Sequence, residues 1–116
     1  REEIEAVRVR LQSLAARLRD DGVPTGERVA FGVMVEVPAA ALTLPDYADL
    51  VDFVAVGTND LVQYLLAADR THEALDGLFS EHHPAVLRLL HRLFSEARDA
   101  GLPIHVCGEL AASVRD

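Results

Sequence analysis

Residues 51–70 read VDFVAVGTNDLVQYLLAADR, and their pattern changes period once along the way. Phe53 to Val56 form a short apolar run rich in valine, as a strand does; Gly57-Thr58-Asn59-Asp60 is a polar turn; Leu61, Leu65 and Ala68 then recur at helical spacing. A strand that passes directly into a helix start brings Asn59 and Asp60 to the junction, where a carboxylate, an amide and open backbone N–H groups converge. Such a volume suits a phosphate or a metal ion. Alternatively, Thr58, Asn59 or Asp60 does no more than cap the helix.

Upstream, Arg28 to Val37 (RVAFGVMVEV) is a near-continuous apolar run broken only by Glu36, which predicts a strand buried on both faces of a parallel sheet. A helix follows from near Pro38, carrying Ala39, Ala40, Ala41 and Leu42 and ending before Pro45, and a second short turn or helix around Asp46 to Leu50 leads into the central strand. Nearer the start, Ile4, Val7, Leu11, Leu14 and Leu18 make Glu2–Arg19 an amphipathic helix, with Gly22 as its left-handed cap. Downstream of the central segment, Thr71–His83 is a polar loop. Pro84 opens a helix with Val86, Leu87, Leu90, Leu93, Phe94 and Ala97 on its apolar side, and Gly101 caps it. Leu102–Val106 is a third strand, and Cys107-Gly108-Glu109 turns out of it. Alternating strands and helices predict an α/β fold with parallel strands and right-handed crossovers.

Composition narrows the functions available. The chain has 116 residues, half of them apolar, a formal net charge of −8 and no cluster of basic residues, so a nucleic-acid groove or a face for anionic membrane is not expected. An anionic ligand must then be met by local arginines or by a metal. The N-terminus is charged rather than signal-like, no stretch approaches the roughly 20 apolar residues of a membrane span, and a single cysteine fits a reducing cytoplasm. Both ends interrupt a helical pattern, so the chain is expected to be a fragment.

Each predicted strand finishes on a chemically useful residue: Glu36, then Asn59 and Asp60, then Cys107. In a barrel of alternating strands and helices these ends open on one face, where active sites are built. A carboxylate closing an apolar strand is costly without a partner. A cation shared with Asp60 would supply one, and Mg²⁺ characteristically takes one or two carboxylates plus water and substrate oxygens; Mn²⁺ accepts the same donors. An arginine elsewhere in a barrel would also serve Glu36. Cys107 is either an inert small hydrophobe or a thiol open to the site, able to give up a proton. Arg70 is either a surface cation or a fork for phosphate. His105 shares a side of its strand with Cys107, while His72, His82, His83 and His91 fall on loop or helix surface. None has the spacing of a zinc site.

GVMVEVPAAAL, VDFVAVGTNDLVQYLLAADR, HPAVLRLL and HVCGELA, in that order, resemble the C-terminal phosphoenolpyruvate-binding (β/α)8 TIM barrel of the phosphoenolpyruvate-utilising enzymes. QYLLAADR is most similar to the Enzyme I branch of the sugar phosphotransferase system rather than to the dikinase and synthase branches. The resemblance implies that residues 1–116 are a fragment of that barrel, with about three of its parallel strands. It implies Glu36 and Asp60 as Mg²⁺ ligands, Asn59, Asp60 and Arg70 on the substrate, and Cys107 as the donor that protonates enolpyruvate to pyruvate. It further implies phosphoryl transfer to an enzyme histidine and on to a histidine-containing phosphocarrier protein, in a cytoplasmic homodimer. The phosphorylated histidine of the family has no counterpart here, and His105 stands where relatives often carry a smaller residue. A piece of this size by itself is expected to be inactive, to leave the barrel-facing side of its sheet uncovered, or to act only as a structural or dimerisation module.

Overall fold

The computed structural model describes residues 1–69 and 80–112. Three parallel strands, β1 (Gly32–Val35), β2 (Phe53–Gly57) and β3 (Ile104–Cys107), form one sheet in the order β1-β2-β3. Around them run α1 (Glu2–Asp20), α2 (Pro38–Leu42), two 3₁₀ turns (Leu44–Asp46 and Ala48–Leu50), α3 (Thr58–Leu66), α4 (Pro84–Asp99) and α5 (Glu109–Ala112). This is the expected α/β order, consistent with part of an α/β barrel.

Successive strand residues face opposite sides, so the register sorts the sheet into two surfaces. Val35, Val54 and Val56 lie on one and are fully buried against Ala41, Leu44, Leu61, Val62, Leu90 and Leu93. Each such buried valine or leucine contributes about 1.5–3 kcal/mol relative to exposure. Gly32, Met34, Phe53, Ala55, Gly57, His105 and Cys107 share the opposite surface. That surface is open: Met34 is 50% exposed. Burial of the first strand on both faces is therefore not what forms, and the ladder takes only four of the ten residues expected. Residues 28–31 are instead held by Asp52, whose N–H donates to the Phe31 carbonyl (2.7 Å) and whose carboxylate accepts from the Phe31 N–H (2.9 Å) and the Arg28 guanidinium (2.8 Å).

Other boundaries also shift. α3 ends at Leu66 rather than near Arg70 because Ala67 adopts a left-handed conformation (φ 51°), although Ala68 beyond it is still buried. α4 buries Val86, Leu89, Leu90, Leu93 and Ala97, while Leu87 and Phe94, expected on that side, are turned outward. His83 is not merely solvated: its Nδ1 accepts the Ala85 N–H at 3.1 Å and caps α4. Gly22 and Gly101 end α1 and α4 in left-handed conformations, as expected. Of the Thr71–His83 loop, residues 71–79 lie outside the described residues.

The helix α1 contributes no buried side chain, and Val7, Leu11 and Leu14 are about half exposed. Polar groups attach it: the Arg1 guanidinium grips both Asp49 carboxylate oxygens (2.9 Å each) and the Asp46 carbonyl (2.7 Å), and Arg8 reaches the Leu50 carbonyl (3.0 Å). Ile4 is the α1 side chain that packs, partly buried, against the core.

Asp52 and Tyr47 both make stability depend on pH. Hydrogen bonding from the Phe31 N–H, then from Arg28, holds the Asp52 carboxyl below the usual carboxylate range. Its contribution is complete above the ordinary value near 4 and is lost as pH falls through the lowered one. We expect acid unfolding followed by circular dichroism to begin at higher pH in Asp52→Asn than in the unaltered chain. Burial, with the Glu96 charge second, raises the Tyr47 phenol, whose O–H donates to the Ala40 carbonyl at 2.9 Å. That contribution is present below about pH 10 and is lost as pH climbs through the raised value. Tyr47→Phe is expected to cost about 1 kcal/mol in urea unfolding at neutral pH and to remove the alkaline dependence.

Candidate functional site at the strand ends

Leaving β2, the chain meets Gly57, which precedes α3 and carries no side chain to cap it. Neither does Thr58, Asn59 or Asp60 make a side-chain cap, so the capping alternative is not what forms. Thr58 is fully buried and its Oγ1 donates to the Cys107 carbonyl at 3.0 Å. Asn59 Oδ1 accepts the Glu109 N–H at 3.0 Å, which identifies its oxygen and leaves the amide N–H₂ to donate elsewhere. The first bond joins the start of α3 to the end of β3 and the second joins it to the start of α5. The start of α3 is thereby left with backbone N–H groups and a positive dipole end.

Gly57 and Gly108 are required by these approaches. A Cβ on Gly57 would stand 2.6 Å from Glu36 Cγ and 2.7 Å from its Oε1, so the Glu36 side chain lies against the space that glycine leaves. Gly108 has φ 110°, and a Cβ there would collide with Thr58 Oγ1 and stand 2.8 Å from Asn59 Oδ1. Any side chain at 108 would be strained by the backbone and blocked by the neighbouring helix.

Met34, Glu36, Gly57, Thr58, Asn59, Asp60, Cys107 and Gly108 line one hollow of about 180 Å³. Four residues singled out by position in the sequence, Glu36, Asn59, Asp60 and Cys107, thus meet at the strand ends. Arg70 lies outside the described residues. His105 sits two residues below Cys107 on the open surface, its ring edge-on to Phe53 (centroids 5.7 Å apart, planes at 78°). Sequence patterning missed Gly57, Thr58 and Met34; only the register between strands reveals the first, and a threonine after a strand reads simply as a cap.

Glu36 has no ion-pair partner among the described residues, so the arginine alternative is not met there. Among the described residues the hollow carries two carboxylates and no cationic lining. No third His, Cys, Asp or Glu joins them in a preformed metal cage among the described residues. Two hard oxygens with room left for water and ligand fit Mg²⁺ or Mn²⁺ better than a closed zinc site. The hollow is smaller than the roughly 300–1,000 Å³ of a ligand pocket. A groove of about 790 Å³ beside α1, lined by Leu11, Leu14, Leu18 and Phe31 together with Arg8, Arg19, Glu27, Arg28 and Asp52, is larger, but its Asp52 is already paired with Arg28.

Strand ends that gather two carboxylates, an amide and a thiol at one face define a barrel-type α/β site. Residues 1–115 match the family described as PEP-utilising enzyme, PEP-binding domain, and the chain belongs to it. Among curated relatives, proteins named phosphoenolpyruvate-protein phosphotransferase are 38% identical over 109 residues in Borreliella burgdorferi (94% of this chain, 19% of the relative). The corresponding protein of Haemophilus influenzae is 40% identical over 114 residues (98% and 20%). That of Cupriavidus necator is 52% identical over 80 residues (69% and 14%). The chain thus spans no more than about a fifth of the length of these relatives. No helix among the described residues is long and apolar enough to cross a membrane.

Proposed function

We propose that residues 1–116 form the phosphoenolpyruvate-binding part of a phosphoenolpyruvate–protein phosphotransferase, within a barrel completed by further strands. The observation that carries this reading is the convergence of Glu36, Asn59, Asp60 and Cys107 on one hollow. Two carboxylates facing one hollow repel a phosphorylated acid, so a divalent cation between them helps to bring one in. Glu36 and Asp60 would hold Mg²⁺, or Mn²⁺, which when bound neutralises phosphate and carboxylate charge and orients both. The Asn59 amide and the N–H groups opening α3 would donate to phosphate oxygens, joined by Arg70. Phosphoryl transfer depends mainly on this positioning and charge neutralisation.

The phosphoryl group would leave to a histidine of another domain and then to a histidine-containing phosphocarrier protein, in a cytoplasmic homodimer. Enolpyruvate left behind would take a proton at its methylene carbon from the Cys107 thiol. In the full-length protein, Cys107→Ala is expected to slow pyruvate formation about a hundredfold or more while leaving Mg²⁺ affinity unchanged; unaltered turnover would remove the thiol from the reaction. The reading as a whole is tested by calorimetric titration of the full-length protein with phosphoenolpyruvate, with and without Mg²⁺. Heat that requires both supports it, and no heat in either case would leave this segment a structural module.

A further inference from the structure

His105 is the one titratable side chain on the open surface of the sheet, among the described residues, that the proposed reaction does not use. Register puts it on the same side of β3 as Cys107, beside Ala55, with Gly57 next to Cys107. Two residues along a strand are about 7 Å apart. The small neighbours Ala55 and Gly57 interpose no bulk between the two side chains and the open surface. Phe53 meets the imidazole edge-on and limits its range, while neither ring nitrogen has a hydrogen-bond partner among the described residues. The ring is exposed to solvent.

We propose that His105 is a proton-relay residue that restores the Cys107 thiol after each turnover, directly or through one water. This rests on the assignment of Cys107 as proton donor. When the S–H proton has gone to the methylene carbon, sulfur is left as thiolate. The imidazolium N–H bond breaks, its proton forms a new S–H bond, and the neutral imidazole takes a proton from solvent water; no electrons change hands. The charged groups that share the hollow with Cys107 are Glu36 from beyond β1 and Asp60 from α3.

Cys107 is the chain's only cysteine, so iodoacetamide alkylation reports on it alone. Alkylation rate measured from pH 5 to 9 should be about threefold higher in the unaltered chain than in His105→Gln below pH 6, where imidazolium stabilises thiolate. The two curves should converge above pH 8, where the ring is neutral. Curves that coincide throughout, or stay parallel at every pH, would overturn the relay. By reciprocity, the ring-proton signals of the neutral imidazole followed by proton NMR should show a second inflection above pH 8, where thiolate forms in the unaltered chain, that is missing in Cys107→Ser; no second inflection in the unaltered chain also counts against it. Neither measurement needs phosphoenolpyruvate, so failure here is separable from failure of the proposed substrate site.

Discussion

Replacing Asp60 by alanine in the full-length protein should lower Mg²⁺-dependent pyruvate formation about a thousandfold. Asp60 supplies one of only two carboxylates in the hollow, and no other His, Cys, Asp or Glu among the described residues stands ready to take its place. A cation neutralising a transferring phosphoryl group is worth several kcal/mol of transition-state stabilisation, and each 1.4 kcal/mol is about tenfold in rate. Because Asp60 occupies the first turn of α3 and makes no cap there, its loss should leave the helix and the circular dichroism spectrum intact. Steady-state rates at increasing Mg²⁺ provide the check. Activity that persists at ordinary Mg²⁺ would reject the ligand assignment, and activity restored at high Mg²⁺ would show that Asp60 serves affinity alone.

The second large effect is expected from a residue with no chemistry of its own. Gly57→Ala would put a methyl group 2.6–2.7 Å from the Glu36 side chain, closer than carbon and oxygen can approach. Either Glu36 swings aside or the end of β2 shifts. A displacement near 1 Å in a reacting constellation costs about a hundredfold. Pyruvate formation in Gly57→Ala should therefore fall by about that factor, although neither a proposed ligand nor the thiol has been altered. The double variant Gly57→Ala/Glu36→Ala should lose little beyond Glu36→Ala, since the clash disappears with the side chain it strikes. Additive losses in that cycle would mean that Gly57 acts on something other than Glu36.

These two residues mark how far the sequence can be read. Asp60 could be found because strand ending and helix beginning are written in local periodicity, and a carboxylate at such a junction stands out. Glu36 and Cys107 were legible for the same reason. Gly57 was not, because its importance depends on which residue at the end of β1 lies alongside, here Glu36 just past the strand, a matter of register between segments about twenty residues apart. Boundaries went astray where composition continues beyond pairing. The apolar run from Arg28 outlasts the ladder because Asp52 captures Phe31 and Arg28 instead. The helical pattern through Ala68 outlasts α3 because Ala67 turns left-handed with none of glycine's usual warning. On α4, leucines crowd every side of the helix, and only packing decides that Leu89 faces inward and Leu87 outward.

The Thr58 hydroxyl and the Asn59 amide both grip the segment that carries the thiol, through the Cys107 carbonyl and the Glu109 N–H. The first residues of α3 and the segment from Cys107 to Glu109 therefore cannot drift apart without breaking two bonds at once. A phosphate drawn toward that helix start would set the height of the sulfur in the same movement. Enolate generated at one end of the cleft would then meet its acid already in position, with no separate search before it could escape or revert.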